Sequence, residues 1–234
     1  ECPPAPYRKN GWITFGCLNN FAKVTDTQLQ LWAKILAAVP RSKLLLKAAI
    51  FDLDYGRSKA VERLQQAGIP MERTEIEGYT ADYLDTYARI DIALDTFPYP
   101  GGGTTCDALY MGVPVITLNG NRHGARFGYS LLMNLGLQEC CADTPEEYAA
   151  KAVALAYHKS RVTELHQTIR RRMQQSPVMD DGLYMAELEQ AYQRIWQDWL
   201  YEGAPAAAQA KAGIQIEHKL IQAMKRQDWE TVRR

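Results

Sequence analysis

Short apolar runs alternate with segments whose apolar positions recur every three or four places, and the alternation holds over about the first 145 residues. A run of four to eight apolar residues bounded by turn formers predicts a buried strand, and the longer period predicts an amphipathic helix. Strands are expected at 12–18, at 43–50 with Leu44, Leu45 and Leu46 as an apolar core, and at 73–77, a charged run suited to an edge. Three more follow at 90–94, 113–118 and, shorter, 137–142. Between them Leu29, Trp32, Ile35, Leu36 and Val39 mark a helix opened by Thr25 or Asp26 and stopped by Pro40. Further helices are expected at 58–66, from Thr80 as a cap through Tyr87, and at 127–135. Beyond this point the pattern is helical. Thr144, Pro145 and Glu147 fall at N-cap, N1 and N3 of a helix running to His158, and helices follow at 160–174, 185–201 and 213–224. Strands alternating with helices give an α/β fold with a doubly wound parallel sheet, closed by long C-terminal helices. The expected divisions are a linker at 1–11, a nucleotide-binding domain at 12–202 and a helical extension at 203–234.

One stretch stands at the centre of this succession: Leu94-Asp95-Thr96-Phe97-Pro98-Tyr99-Pro100-Gly101-Gly102-Gly103-Thr104-Thr105-Cys106-Asp107-Ala108-Leu109. It joins a strand to a helix through three glycines. Without Cβ atoms, Gly101, Gly102 and Gly103 let backbone N–H groups approach a ligand and are expected to adopt positive φ. Thr104 and Thr105 are expected to cap the helix, whose free N–H groups carry partial positive charge and suit a phosphate. Asp107, expected in the first turn, can accept hydrogen bonds from a sugar hydroxyl. A tight turn with an Asp complementing the helix dipole would have the same sequence. Two other loops leave strand ends on the same edge. One carries Asn19, Asn20 and Lys23, and the other Arg122, His123 and Arg126. Three loops with anion-binding chemistry on one sheet edge point to a nucleotide-type ligand.

Composition narrows the class. Lys plus Arg and Asp plus Glu both number 27, so no basic field for nucleic acid or a membrane surface is present. The run Arg170-Arg171-Arg172 reads as a solvated helix face. Five cysteines, at positions 2, 17, 106, 140 and 141, lack C-x-x-C spacing, and the four histidines lack H-E-x-x-H. No metal and no cofactor are expected, and Cys17 and Cys106 read as reduced, buried residues. No apolar run reaches 18 residues and residues 1–6 are not a signal peptide, so a cytoplasmic setting is expected. The Pro-rich opening without Met resembles an interdomain linker. Tyr192, Trp196 and Trp199 form an aromatic stripe expected to serve packing. No G-x-G-x-x-G follows the first strand, which argues against a dinucleotide oxidoreductase.

Several motifs together carry a family resemblance. They are Asn19-Asn20-Phe21-Ala22-Lys23 after the first strand, Leu94 through Leu109, and Gly112-Val113-Pro114-Val115-Ile116-Thr117. To these are added Arg126, Ser130, Leu132, Leu135 and Gly136, and the closing Leu-Glu-Gln-Ala-Tyr-Gln-Arg-Ile-Trp that ends at Trp196. Over about four-fifths of its length the chain resembles the C-terminal half of the catalytic region of the protein O-GlcNAc transferase and SPINDLY-like family. Those are GT-B glycosyltransferases with Rossmann-like halves, usually fused to N-terminal tetratricopeptide repeats. The resemblance implies an inverting, metal-independent transferase with UDP-GlcNAc as donor and protein Ser/Thr as acceptor. It also implies partners in an N-terminal GT-B half and the repeats, and no nucleic acid or membrane. Lys23 would meet the donor diphosphate as the catalytic cation, beside Asn19 and Asn20. Gly101, Gly102, Gly103, Thr104 and Thr105 would hold phosphates with Arg126 nearby, Asp107 the ribose, and 78–83, with Gly78, Tyr79 and Tyr83, the base. Gly103 and Tyr83 stand where O-GlcNAc transferases commonly have histidines, and the Phe97-Pro98-Tyr99 wording leans toward SPINDLY-like members. UDP-glucose or GDP-fucose therefore remain alternative donors, glycan, lipid or Asn alternative acceptors, and a degenerate scaffold an alternative role.

Overall fold

The computed structural model describes residues 2–203. Six parallel strands form one sheet in the order β3-β2-β1-β4-β5-β6. They are β1 (Thr14–Cys17), β2 (Lys43–Lys47), β3 (Thr74–Glu77), β4 (Ile92–Leu94), β5 (Val115–Leu118) and β6 (Cys141–Ala142). The chain runs outward through β1, β2 and β3, then returns to the centre for β4, β5 and β6. Phe15 of β1 lies opposite both Leu44 and Ile92. The order reverses between β1 and β4, the place where a doubly wound sheet opens a crevice beyond its carboxyl ends. The expected α/β fold is the one found.

Helices cover both faces, so central strands read as unbroken apolar runs rather than alternating ones. All four residues of β1 are buried, and Gly16 there is a close approach, since a Cβ would lie 2.3 Å from Ile90 Cδ1. Edge strand β3 is only half-buried, and its Glu75 and Glu77 pair with Lys43, Lys47 and Arg89. Helix α1 (Tyr7–Asn10) precedes β1, and α2 (Asp26–Ala38) follows it. Thr25 Oγ1 caps α2 by accepting from Gln28 N at 3.2 Å, and Leu29, Trp32, Ile35 and Leu36 are buried. The remaining helices are α3 (Asp54–Gln66), α4 (Gly103–Tyr110), α5 (Phe127–Asn134), α6 (Pro145–Tyr157) and α7 (Lys159–Gln174). Thr144 caps α6 through Glu147 N at 3.1 Å, while the Glu147 carboxylate accepts from Asp143 N at 2.8 Å.

The amino end of the sheet is tied down by a buried carboxylate. Asp91 accepts from Tyr7 N and Thr14 N, both at 2.8 Å, which fixes α1 against β1. The Asp91 carbonyl lies 2.9 Å from Nε2 of buried His166 on α7.

Several expected boundaries move, each for a local reason. The second strand stops at Lys47 because a 3-10 turn, Ala49–Asp52, leads straight into α3, which begins at Asp54 rather than 58. Thr80 caps nothing. The segment Tyr83–Arg89 is 3-10 helix, preceded by Asp82, and buried Tyr87 ties it inward by donating to the Thr104 carbonyl at 3.0 Å. The sixth strand shrinks to Cys141–Ala142 because Gln138–Cys140 turns as 3-10 helix. Cys17 is buried, its thiol pushed up to about 12 by burial, whereas Cys106 is only half-buried.

One compact unit ends at Met179 and a second starts at Asp180. In the second, α8 (Asp181–Asp198) begins four residues before its expected start, because Asp180 accepts from Leu183 N at 2.8 Å and caps it. Trp196 stacks on Trp199 with centroids 5.2 Å apart, but Tyr192 and Trp199 are exposed, unlike the packed stripe expected. The helix expected at 213–224 lies outside the described residues. Among those described, no helix is long and apolar enough to cross a membrane.

Candidate functional site

Three segments meet at the crevice between β1 and β4. The loop after β1 starts with buried Asn19, whose Nδ2 donates to Asp95 Oδ1 at 3.2 Å and to Thr96 Oγ1 at 3.0 Å. Its Oδ1 accepts from the Thr104 hydroxyl of α4, so one amide joins the loop to the helix. Asn20 Oδ1 accepts from Ala22 N at 3.0 Å and folds Phe21–Lys23 into a single 3-10 turn. That turn brings Lys23 back over the glycine segment. Its Nζ donates to the Pro100 carbonyl at 3.2 Å and stands 4.1 Å from the centre of the Tyr99 ring.

The glycine segment differs from expectation in three respects. None of Gly101, Gly102 and Gly103 has positive φ; Gly102 has φ −121°. The need for glycine at 101 is steric, since a Cβ there would lie 2.5 Å from Thr105 Oγ1, 2.6 Å from Thr104 Oγ1 and 2.9 Å from Asn19 Oδ1. At 102 and 103 a Cβ would meet nothing within 4 Å. Thr104 and Thr105 are not caps: α4 starts at Gly103 with Gly102 at the N-cap, and no side chain caps it. Asp107 accordingly falls beyond the first turn. The uncapped end leaves the first N–H groups of α4 without helical acceptors, an arrangement that binds anions.

On the other side, Tyr83 Oη donates to Asp107 Oδ2 at 3.1 Å, and the carboxylate beside it pushes the Tyr83 hydroxyl up from its ordinary value. Gly78 and Tyr79 are held by Asp52, whose Oδ2 accepts from Tyr79 N at 2.9 Å. A Cβ on Gly78 would fall 1.6 Å from Asp52 Oδ1. A cavity of about 910 Å³ opens here, and Asn20, Tyr79, Tyr83, Thr104 and Asp107 are among its walls. Its far wall comes from the turn and helix after β2, with Ile50, Leu53 and Tyr55, and from Lys47, which is paired with Glu77 at 3.2 Å. Periodicity hides that wall, because 49–50 reads as the end of the strand expected at 43–50.

Arg126 is exposed. Its Nε donates to Asn119 Oδ1 at 3.2 Å and its guanidinium lies 5.6 Å from the Tyr129 ring, both in its own loop and helix. His123 stands edge-on to Phe127 at 5.9 Å. Sequence reasoning missed the residue at the centre of the site, Asp95, whose only signal was an acid at the end of an apolar strand. Among the described residues, no group of three or more His, Cys, Asp or Glu is placed to hold a metal ion. Asn20, Thr104 and the Tyr83–Asp107 pair thus line one cavity, whereas Lys23, Gly101, Gly102, Gly103 and Arg126 are not among its walls, Lys23 being turned to the Pro100 carbonyl and the Tyr99 ring beside it. The lining set, with the uncapped start of α4, can hold a phosphorylated ligand and accept from a polyol.

The chain is 41% identical over 206 residues to a protein of Oryza sativa subsp. japonica named probable UDP-N-acetylglucosamine--peptide N-acetylglucosaminyltransferase SPINDLY. It is 38% identical over 206 residues to the Arabidopsis thaliana protein of the same name. In both cases 87% of this chain matches only 22% of the relative, so the chain spans about a fifth of the length of these curated relatives. Among solved structures, a Thermobaculum terrenum O-GlcNAc transferase carrying a K341M mutation superposes with TM-score 0.74 at 40% identity, covering 80% of this chain and 36% of that one. Anabaena Alr3699/HepE, solved in complex with UDP and glucose, shares the fold alone, at TM-score 0.56 and 15% identity, over 79% of this chain and 51% of that one. The sequence model of glycosyl transferase family 41 matches residues 7–188, nearly the whole of the described structure, and the chain belongs to that family.

Proposed function

We propose that this chain is the donor-binding half of a GT-B glycosyltransferase that moves a sugar from a nucleoside diphosphate to a protein Ser or Thr hydroxyl. The observation that carries the proposal is that the loop after β1, tied to the glycine segment through Lys23 and Pro100 and to α4 through Asn19 and Thr104, stands beside the uncapped start of α4 and the Tyr83–Asp107 pair. In transfer with inversion, the acceptor oxygen attacks the anomeric carbon opposite the departing diphosphate, and negative charge grows on the phosphate oxygen that leaves. Preorganised N–H dipoles and a nearby ammonium stabilise that charge without a metal ion. Lys23 supplies the ammonium, the first turn of α4 the dipoles, and Asp107 an acceptor for the ribose hydroxyls. Residues 78–83 flank the base. The names of the relatives support UDP-GlcNAc as donor. A second donor, GDP-fucose or UDP-glucose, is favoured by Gly103 and Tyr83, since open space at one and a phenol at the other change what touches the sugar and the base. The acceptor would be presented by an N-terminal half.

Calorimetric titration with UDP, UDP-GlcNAc, UDP-glucose and GDP-fucose tests the proposal. One nucleotide class should bind, and Lys23→Ala should weaken it about tenfold, or about 1.4 kcal/mol. A folded sample that binds none of the four, or a Lys23→Ala variant that binds as well as the parent, refutes donor binding by this site and leaves the scaffold role.

A further inference from the structure

The crevice loops converge on a single side chain that takes no direct part in the chemistry above. Asp95, at the end of β4, is 3% exposed. Its Oδ1 accepts from Gly101 N at 2.7 Å, from Thr96 N at 2.9 Å and from Asn19 Nδ2 at 3.2 Å. Its Oδ2 accepts from Thr117 Oγ1 of β5 at 2.8 Å. The backbone of the same residue is clamped as well, its carbonyl accepting from Gln28 Nε2 of α2 at 2.7 Å and Tyr148 Oη of α6 at 2.9 Å. Gly128 of α5 lies directly against this carboxylate, since a Cβ there would come within 2.5 Å of Asp95 Oδ2 and 2.3 Å of Thr117 Oγ1. The β1 loop, the glycine segment, β5 and the start of α5 are thus gathered by one acidic group.

Burial of a carboxylate is costly unless its oxygens are satisfied, and here four donors satisfy them. Two are backbone N–H groups that would otherwise be buried without an acceptor, so the acid and the loops stabilise each other. Burial pushes the carboxyl up from its ordinary value, and the four donors pull it partly back.

We propose that Asp95 is the positioning residue of the donor site, the acceptor hub that holds the Asn19 loop and the glycine segment in the arrangement where Lys23 and the first turn of α4 face the diphosphate. This rests on the donor-site assignment above. Asp95 acts through Gly101 and Asn19 and touches no ligand itself. Its Oδ1 aligns the phosphate end of the crevice, whereas the ribose and base end depends on Tyr83, Asp107 and Asp52.

The test compares Asp95→Ala and Asp95→Asn with the parent chain, using amide hydrogen exchange without ligand and titration with UDP, GDP, uridine and guanosine. Asp95→Ala should speed exchange at 19–23 and 101–104 together, leave β2 and β3 unchanged, and weaken the diphosphate at least tenfold while nucleoside affinity stays within threefold. Asp95→Asn keeps an Oδ1 acceptor for Gly101 and Thr96 and offers an Nδ2 donor to the Thr117 hydroxyl. It should fold and match the parent within threefold in both assays, even if the alanine variant does not fold. Unchanged loop exchange in a folded alanine variant, equal loss of nucleoside and diphosphate, or loss of diphosphate affinity in a folded asparagine variant overturns the proposal. Absence of nucleotide binding by the parent refutes the donor site instead, and the exchange data still decide whether Asp95 holds the loops.

Discussion

Replacing Asp91 by asparagine should change how stability responds to pH, and the size of the change follows from its surroundings. The carboxyl is buried at the amino end of the sheet, where Tyr7 N and Thr14 N, both at 2.8 Å, are its hydrogen-bond donors. Burial outweighs those two bonds and raises its pKa from 3.8 to about 6. In the unfolded chain the proton leaves near 3.8, so between these values the native state binds more protons. The stability this group contributes is therefore full below about 3.8 and is lost as the pH rises through about 6. At about 1.4 kcal/mol per pH unit, the loss is about 3 kcal/mol. His166 works in the opposite sense over a neighbouring range. Burial lowers its pKa from 6.5, so its contribution is present above 6.5 and fades as the pH falls. The two partly cancel in the parent protein, which is why the comparison between variants is the informative one. Asp91→Asn cannot titrate and keeps one acceptor oxygen. Urea unfolding followed by circular dichroism between pH 4 and pH 7.5 should show Asp91→Asn gaining on the parent by about 2.4 kcal/mol as the pH rises, since part of the full shift already lies below pH 4. A difference that stays flat over that range, or that moves in the parent's favour, refutes the account of a charge made costly by burial.

Other substitutions separate the parts of the site. Gly101→Ala forces a Cβ to within 3 Å of Thr104, Thr105 and Asn19 oxygens, so diphosphate affinity should fall at least tenfold on calorimetry while the sheet stays folded. Gly103→Ala, facing open space and with negative φ at its helical position, should leave the melting temperature within a few degrees of the parent. Phe15→Ala empties a fully buried position in the central strand and should cost about 3–5 kcal/mol in denaturant unfolding.

Much of this was legible because the strands are covered on both faces. Leu44, Leu45 and Leu46 could be nothing but interior, and Thr144-Pro145-Glu147 marked the start of α6 to the residue. Local chemistry was harder to see where tertiary contacts set it. Thr104 looked like a cap, but its hydroxyl is engaged by Asn19, 85 positions earlier, and the helix begins one residue before it. The glycines suggested left-handed backbone, while the requirement at 101 is space beside three side-chain oxygens. Asp95 was inconspicuous because one acid after an apolar run shows neither its burial nor its donors. The cavity wall at 50–55 was hidden by a strand pattern that turns away at Ala49.

The contrast between the first glycine and the two after it has a consequence for how such a site can diverge. Position 101 is interlocked with its neighbours, so a side chain there must be accommodated by several residues at once. At positions 102 and 103 a Cβ would meet nothing within 4 Å, and neither uses a backbone conformation reserved for glycine. A single side chain at either can therefore be added without rebuilding the loop beneath. The turn combines one locked residue with two free ones, so that, if the proposed donor site stands, contacts to the donor can change by point mutation at 102 or 103 while residue 101 and its neighbours keep their arrangement.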